Sequence, residues 1–416
     1  MSKQITIIGG GVIGLCTAWY LQKEGFEITI IEKGDLTDGA SFGNAGFISP
    51  SHIIPLASPA IIGKAFKWML NASSPFYIKP RLNKDLIRWG MAFWNSANKK
   101  TMERNIPHLH NLLQLSRRLM DDLKNELGNG FRMEEKGCLM LYRKSATAAH
   151  EYALSKEVAL LGLETKILSS GEIQAIEPDV QMDVLGGVLY SLDCHLHPGD
   201  FMSVLKNYLS AHGVTFQLDT TVNGFEKKGK KIIAVKTSQG SFPCNELIIA
   251  AGAWLPSLAR LLDIDILLEA GKGYSMTYLS MKKNLHFPSI LVERRVAMTP
   301  MGTDLRMGGT MEISGINRKV LNKRVAAIFN ATREYYPGLD LPFPERNQVW
   351  QGLRPLSPDG LPYIGRHRKY ENLIISGGHA MMGVSLAAAT GLLTEQIVSG
   401  RKTSIDMVAF NPERFG

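Results

Sequence analysis

The order of apolar and polar residues at the start of the chain predicts a strand, a tight turn and a helix. An apolar run at 5–8 is followed by glycines at 9–14 and then by a helix-like pattern at 15–21. A second apolar strand follows at 27–31. Alternating strands and helices of this kind are typical of a parallel sheet with helices on its faces.

The same pattern returns twice. Residues 201–212 predict a helix, and 214–218, 246–254 and 372–378 predict strands; a mostly apolar helix follows from Gly383 to about Ser399. Between these regions, residues 55–127 are helix-rich, and strands are predicted at 137–142, 185–190, 296–299 and 305–309. We therefore predict a nucleotide-binding domain in three parts, 1–52, 199–262 and 348–416, interleaved with a second domain, 53–198 and 263–347.

The glycines after the first strand have the spacing of a dinucleotide-binding turn. Gly9 allows the tight turn, Gly11 allows a pyrophosphate to approach the backbone, and Gly14 allows the helix to pack closely on the strand. The helix then presents its positive end to the phosphates. Glu32 ends the second strand, about 20 residues later, where an acidic side chain accepts a ribose hydroxyl.

Composition places this 416-residue chain among ordinary globular proteins, with 45% hydrophobic and 20% charged residues. No run approaches the roughly 20 apolar residues of a membrane span, and the opening residues lack a basic leader, so we expect a cytoplasmic protein. The four cysteines are dispersed and predict neither a disulfide framework nor a metal site.

The net charge of +9 is concentrated between residues 64 and 100, where Asp85 is the only acid. The basic residues there alternate with Phe66, Trp68, Trp89 and other aromatics. Three interpretations stay open: an interfacial helix on anionic lipid, a solvated basic face over core aromatics, and a stacking groove for nucleic acid, which is the least favoured.

Several motifs together resemble one family. These are 39–46 (GASFGNAG), 272–275 (KGYS), 308–312 (GGTME), 352–360 (GLRPLSPDG) and 377–379 (GGH). The chain resembles the bacterial D-amino acid dehydrogenases, within the FAD-dependent amine oxidoreductases that include glycine oxidase and sarcosine oxidase. The resemblance implies an α/β fold with a Rossmann-like FAD-binding domain and an interleaved α+β substrate domain on a mostly antiparallel sheet. It also implies oxidation of an amino acid to an imino acid.

The resemblance assigns roles to individual residues. Arg354 matches the substrate-binding arginine of glycine oxidase, and its planar fork suits a carboxylate; a structural ion pair is the alternative. His379 and Tyr274 are further candidates at the catalytic site, although each is equally consistent with a structural role. The residues expected to bind FAD are Gly9, Gly11, Gly14, Glu32, Lys33, Ser41, Asn44, Ala45, Val222, Ala251, Gly252, Gly378, Gly383, Val384 and Ser385.

The chain departs from glycine oxidase at two pocket positions, where Val296 and Met381 replace a tyrosine and an arginine. The site is therefore expected to be more apolar, which suggests D-proline or a hydroxy-D-proline as the substrate. His52 and His197 are weaker pocket candidates, and no side-chain base is evident.

Covalent relatives attach flavin through a late cysteine or a histidine in the early loop. This chain has no cysteine after Cys244 and reads Ser41-Phe42-Gly43-Asn44 in that loop, so we expect noncovalent FAD. Family resemblance and the basic segment suggest a membrane quinone as electron acceptor, with peripheral membrane contact and no nucleic acid. The alternatives are a glycine or sarcosine oxidase that uses oxygen, an RNA-modifying flavoenzyme, and a flavin-bearing subunit of a larger complex.

Overall fold

The computed structural model describes residues 3–59 and 74–416. The strands in chain order are β1 (Gln4–Ile8), β2 (Glu27–Ile31), β3 (Phe47–Ile48), β4 (Phe76–Ile78), β5 (Cys138–Tyr142), β6 (Thr165–Ser169), β7 (Gly186–Tyr190), β8 (Cys194–His195), β9 (Thr215–Gln217), β10 (Val222–Lys228), β11 (Lys231–Thr237), β12 (Gly240–Pro243), β13 (Glu246–Ile249), β14 (Glu269–Tyr278), β15 (Ser289–Leu291), β16 (Val296–Met301), β17 (Asp304–Ile313), β18 (Val349–Leu356), β19 (Tyr363–Arg366) and β20 (Leu373–Gly377).

The helices are α1 (Val12–Lys23), α2 (Lys84–Ser96), α3 (Lys99–Leu127), α4 (Ser145–Ala159), α5 (Ser170–Ile176), α6 (Pro198–Ala211), α7 (Leu255–Arg260), α8 (Asn322–Tyr335) and α9 (Gly383–Ser399). Short 3₁₀ turns lie at Gly252–Trp254, Arg346–Gln348 and Val408–Phe410. The predicted strand at 27–31 and the predicted helix at 383–399 are confirmed. Helix α6 begins earlier than predicted because the His197 ring accepts from the Asp200 amide (3.0 Å) and Pro198 occupies the first turn.

A six-stranded sheet in the order β19-β20-β13-β1-β2-β9 forms the first layer. Its pairings are parallel except at β19–β20. The strands are nearly continuous apolar runs, as expected for a sheet that is covered on both faces. On one face, α1 and α9 pack together in the same core through Leu15, Ala18, Ala387 and Ala388.

The second large sheet has the order β18-β14-β17-β16-β15-β5-β7-β6, and β4 pairs with β17. Its pairings are antiparallel except β15–β5 and β17–β4. The expected α/β fold with a second, mostly antiparallel sheet is therefore confirmed. The division into domains stays a prediction, with one boundary to adjust: β18 begins at residue 349 but pairs with β14, so it goes with the second sheet rather than the first.

Helix α2 is apolar on two faces. On one face Trp89 is 2% exposed and its indole N–H donates to the Leu356 carbonyl (2.8 Å). The other face carries three exposed apolar residues at helical spacing, Ile87 (52% exposed), Met91 (57%) and Trp94 (54%). A helix of this type gives a sequence pattern that fits both a core helix and an interfacial helix.

Of the three interpretations of this segment, Trp89 fits the one with core aromatics, and the hypothesis that this ring inserts into a membrane is wrong because the ring is part of the core. Four other residues of the same basic segment lie outside the described residues: Lys64, Phe66, Lys67 and Trp68. In the part of the chain that is described, no helix combines the length and apolar character needed to cross a bilayer.

Candidate active site

A cavity of about 1270 Å³ is lined by residues of both large sheets. One side of the cavity is lined by the dinucleotide turn, the end of β2, the loop 38–45 and the turns at 250–254 and 376–385. The other side is lined by residues of β14, β17 and β18. All the residues assigned to catalysis or to FAD binding line this cavity except Gly14 and Gly378. The sequence prediction therefore assembled one site from segments far apart in the chain.

The dinucleotide turn has the geometry that its glycines predict. Gly9 has φ +110°, and a Cβ there would lie 2.5 Å from the Ala250 carbonyl oxygen. A Cβ at Gly14 would lie 2.0 Å from the Gly9 carbonyl oxygen, so α1 packs against the turn only because this position has no side chain. The Val12 amide at the start of α1 donates to Ser41 Oγ (3.1 Å). The positive end of α1 therefore faces the cavity beside Ser41.

Glu32 and Lys33 follow β2 at the edge of this cavity. The Glu32 carboxylate accepts from the amides of Gly10 (2.8 Å) and Gly34 (3.1 Å), which fixes its orientation and leaves acceptor capacity on both oxygens. Lys33 Nζ lies 2.9 Å from the centroid of the Trp254 ring, and burial lowers the pKa of this lysine. Trp254 was not among the predicted residues.

The loop that carries Asn44 and Ala45 is held by the second sheet. Arg306 Nη1 donates to the Asn44 carbonyl (2.8 Å), and Ser275 Oγ donates to the Gly43 carbonyl (2.9 Å). The Asn44 side chain itself accepts from the Gly46 amide (2.8 Å). Arg306 is 6% exposed, and burial lowers its pKa to about 10. Sequence reasoning missed Arg306, whose strand pattern gives no sign of a partner more than 250 positions away.

Arg354 on β18 lines the cavity from the second sheet. Its Nη1 donates to the Thr310 carbonyl (2.5 Å), and its guanidinium lies over Gly273 of β14. Within the described residues no carboxylate lies within ion-pair distance of it, so the alternative of a structural ion pair is not supported there. Burial, with repulsion from Arg324, lowers the pKa of Arg354 to about 10, and it stays protonated at neutral pH.

Tyr274 is among the residues that line the cavity, but its side chain is buried in the second core and its hydroxyl is engaged there. The hydroxyl donates to Glu312 Oε2 (2.5 Å), and Lys272 Nζ lies 3.4 Å from the other oxygen of that carboxylate. Burial and Glu312 together raise the pKa of Tyr274. The structure thus places this hydroxyl in a buried charged network, a position that does not favour its predicted role toward substrate.

His379 lies in the turn before α9. Its Nε2 is 3.0 Å from Thr390 Oγ1, and burial lowers its pKa to about 3, so the ring is neutral at ordinary pH. The Ala380 amide donates to the Pro355 carbonyl (2.8 Å), which ties this turn to the strand of Arg354. These contacts favour a structural role for His379 over direct contact with substrate.

The first turn of α9 is joined to the loop after β3. Ser385 Oγ donates to the Phe47 carbonyl (2.7 Å) and accepts from the Ser49 amide (3.2 Å). Gly383 and Val384 line the cavity beside it, so the positive end of α9 also faces the cavity.

The secondary pocket candidates are separated by the structure. His52 lines the cavity, whereas His197 caps α6 outside it. Met381 lines the cavity and is 45% exposed, but Val296 is buried in the second core and does not line it. The expectation that Val296 shapes the pocket is therefore wrong, because its side chain points to the other face of the sheet.

Comparisons with known proteins agree with this geometry. The family model for FAD-dependent oxidoreductases, DAO, matches residues 4–397. A D-amino acid dehydrogenase of Granulibacter bethesdensis is 31% identical and covers 97% of both chains. A D-amino acid dehydrogenase of Chromohalobacter salexigens is 29% identical and covers 99% of both.

Solved structures show the same fold at lower identity. Glycine oxidase from Geobacillus kaustophilus superposes with a TM-score of 0.78 at 22% identity, covering 99% of both chains. L-proline dehydrogenase from P. horikoshii superposes with a TM-score of 0.77 at 19% identity, covering 100% of this chain and 98% of the other. Because proteins named for glycine and for an L-amino acid share this fold, the fold alone does not select an enantiomer.

Proposed function

The chain belongs to the DAO family of FAD-dependent oxidoreductases, and from this we propose that it oxidises a D-amino acid at the α-carbon. The product is an imino acid, which water hydrolyses to a 2-oxo acid when the imine is acyclic. D-proline or a hydroxy-D-proline is the proposed substrate. The D configuration is supported by the full-length sequence relatives, which are D-amino acid dehydrogenases.

The described residues fit FAD. The cradle at Gly9 and Gly14 has no room for side chains, and the start of α1 carries no acidic residue that would repel a pyrophosphate. Glu32 offers acceptor oxygens for a ribose hydroxyl at the end of β2. When bound, FAD supplies the acceptor for the hydride of the substrate α-carbon. We propose that it binds without a covalent bond.

The observation that carries the proposed function is the position of Arg354. A guanidinium that is largely removed from water and has no carboxylate partner among the described residues is costly unless an anion binds to it. Its planar fork matches the carboxylate of an amino acid. When the substrate carboxylate binds to Arg354, the α-carbon next to it is held in position, and this positioning supplies much of the catalysis.

The N-terminal end of α9 stabilises negative charge at the same site. Its first turn, Gly383 to Ser385, presents backbone amides to the cavity, and these favour an electron-rich ring placed against them. The ties from Ser385 to the loop after β3 keep this helix end fixed in place. The protein therefore contributes fixed dipoles and a fixed cation.

The apolar part of the cavity lining suits a compact apolar side chain. Its lining residues include Ile53, Met140, Tyr190, Ile290 and Ala297. These side chains favour an aliphatic ring over a charged group. This supports D-proline or a hydroxylated D-proline as the substrate.

We propose a membrane quinone as the electron acceptor. The buried face of α2 packs with Phe76 and Met311, which also line the cavity, while Ile87 and Met91 are exposed on the outer side of this wall. Exposed Lys84, Lys99 and Lys100 accompany them. Apolar and basic side chains in this combination suit the surface of an anionic membrane.

The direct test is anaerobic bleaching of the flavin by a panel of D- and L-amino acids. The proposal predicts reduction by D-proline or a hydroxy-D-proline and little by their L forms. Stoichiometric hydrogen peroxide on admission of air, with no transfer to a soluble quinone, would instead identify an oxidase. Reduction by the L forms alone would contradict the proposed substrate class.

A further inference from the structure

A buried carboxylate lies behind one wall of the cavity. Asp193, in the turn between β7 and β8, is 1% exposed. Its Oδ1 accepts from the Ser51 amide (3.1 Å), and its Oδ2 accepts from Ser51 Oγ (2.7 Å). Ser51 and its neighbour His52 both line the cavity. A chain of polar groups thus leads from the cavity to Asp193.

The hydrogen-bond donors among His52, Ser51 and Asp193 determine which nitrogen of His52 carries a proton. His52 Nδ1 lies 3.4 Å from Ser51 Oγ and 3.8 Å from Asp193 Oδ2. Ser51 has one hydroxyl proton, and it donates that proton to Asp193, so Ser51 Oγ accepts from His52 Nδ1–H. In the neutral ring this leaves the lone pair on Nε2, on the side of the ring away from Ser51.

In the described ranges no Lys or Arg lies within ion-pair distance of Asp193, whereas His52 Nδ1 lies 3.8 Å from its Oδ2. An uncompensated buried carboxylate is costly, and such groups cluster at functional sites. Ser51 donates two hydrogen bonds to this carboxylate, and Ser49 and Arg117 also favour its ionised form, but these contacts do not by themselves require an acid at this position. Its connection to a cavity histidine gives it a function.

We propose that His52 accepts a proton from the ammonium group of the substrate, with Ser51 and Asp193 as positioning residues that carry the proton onward. This inference rests on the proposed function. A hydride leaves the α-carbon only when the nitrogen lone pair is available to form the C=N bond, and an ammonium group has none. His52 Nε2 takes the proton, His52 Nδ1–H passes to Ser51 Oγ, and the Ser51 hydroxyl proton passes to Asp193. The amine becomes neutral, Asp193 becomes a carboxylic acid, and no electrons are transferred.

The electrostatic surroundings agree with this direction of transfer. Burial, with Arg295 nearby, lowers the pKa of His52 to about 4, so the ring is neutral and able to accept. Burial raises the pKa of Asp193 to about 7, which makes it a suitable final acceptor near neutral pH. Other titratable groups also face these residues. Arg117 favours ionised Asp193, and burial raises the pKa of Cys138, Cys194, Tyr190 and Glu151.

The kinetic test compares His52→Gln with the wild type in anaerobic flavin reduction from pH 6 to 10. At pH 7 we expect kcat/KM to fall about 100-fold, the usual contribution of a general base. The difference should shrink as the solution removes the amine proton at high pH. A thiazolidine analogue, whose sulfur lowers the pKa of the amine, should largely restore the variant at pH 7. His212→Gln, the same change at an exposed histidine that does not line the cavity, is the matched control.

A second measurement does not depend on turnover. Imidazole ¹⁵N shifts of the labelled holoenzyme, assigned by difference with His52→Gln, should show neutral His52 with its proton on Nδ1 at pH 7. Asp193→Asn should alter this tautomer balance. A proton on Nε2, or an imidazolium at pH 7, would overturn the inference.

The outcomes separate the two proposals. A wild-type flavin that no D-amino acid reduces would refute the proposed function. A wild type that is reduced, together with a His52→Gln variant that has a parallel pH profile and gains nothing from the thiazolidine substrate, would refute the proton transfer alone.

Discussion

The guanidinium of Arg354 lies directly against the backbone of Gly273, so that a Cβ at Gly273 would be 2.3 Å from Nη2 and 2.6 Å from Nη1. The two residues stand on adjacent strands, where Gly273 pairs with Gly352 and Gly271 pairs with Arg354. The arginine is therefore held flat over β14 because one position there has no side chain. Its fork is oriented before any substrate binds, which reduces the entropy lost on binding.

This contact predicts the effect of Gly273→Ala. The new methyl group must displace the guanidinium, so we expect the KM of the amino acid to rise at least tenfold while FAD stays bound. Steady-state kinetics and the flavin content of the purified variant measure both. Gly171→Ala in α5, where a Cβ meets nothing within 4 Å, is the control and should leave KM unchanged. Equal KM values for the two variants would mean that the orientation of Arg354 is unimportant.

Noncovalent binding of FAD predicts that acid precipitation releases all the yellow colour into the supernatant. Gly11→Val places a branched side chain at the start of α1, where the backbone must admit a pyrophosphate, and should abolish FAD binding while the protein stays folded. Absorbance at the flavin maximum and circular dichroism of the variant test both parts. Colour that stays in the protein pellet would contradict the noncovalent assignment.

The exposed face of α2 predicts reversible binding to anionic vesicles. Basic residues near the surface contribute about 1 kcal/mol each and are screened by salt, whereas inserted apolar groups are not. Ile87→Ser/Met91→Ser should therefore reduce co-sedimentation at high salt more than at low salt. Leu160→Ser/Leu279→Ser, at two other strongly exposed leucines, is the matched control. Wild-type protein that stays in solution with every vesicle would remove the membrane from the account of the acceptor.

His379 predicts a loss of stability in acid. Burial lowers its pKa in the folded protein to about 3, below its unfolded value near 6.5. Its contribution to stability is therefore complete above pH 6.5 and is lost as the pH falls, by about 2 kcal/mol at pH 5. The thermal midpoint of wild type should fall from pH 7 to pH 5 more steeply than that of His379→Gln. The control is His212→Gln at the surface, and parallel curves for His379→Gln and wild type would contradict the assignment.

Sequence patterns predicted the elements of this protein better than its contacts. The helix 383–399 and the strands around residues 140 and 188 follow from periodicity, which depends on neighbours in the chain. Trp89 and Ile87 share one helix, and only its packing decides that the tryptophan is buried and the isoleucine exposed. The packing of one strand against another likewise decides that Val296 turns away from the cavity.

The candidate site shows the same division. Glycine spacing and short motifs placed the turn, Arg354 and the start of α9 at one cavity, because each motif is local. The support given by Arg306 to Asn44, and the chain from His52 to Asp193, depend on residues brought together only by folding. No periodic or compositional signal reports such pairs in a single sequence.

The central claim is that Arg354 holds the carboxylate of a D-amino acid while the hydride leaves. Arg354→Lys keeps the charge but loses the fork. Stopped-flow measurement of anaerobic flavin reduction by D-proline, for the wild type and this variant, is the most direct test. The account predicts that the variant loses about 2–4 kcal/mol of transition-state stabilisation, so that kcat/KM falls roughly 30- to 1,000-fold with FAD fully bound. Pyrrolidine, which lacks the carboxylate, should be an equally poor substrate for both proteins. Unchanged reduction of Arg354→Lys by D-proline would contradict the claim.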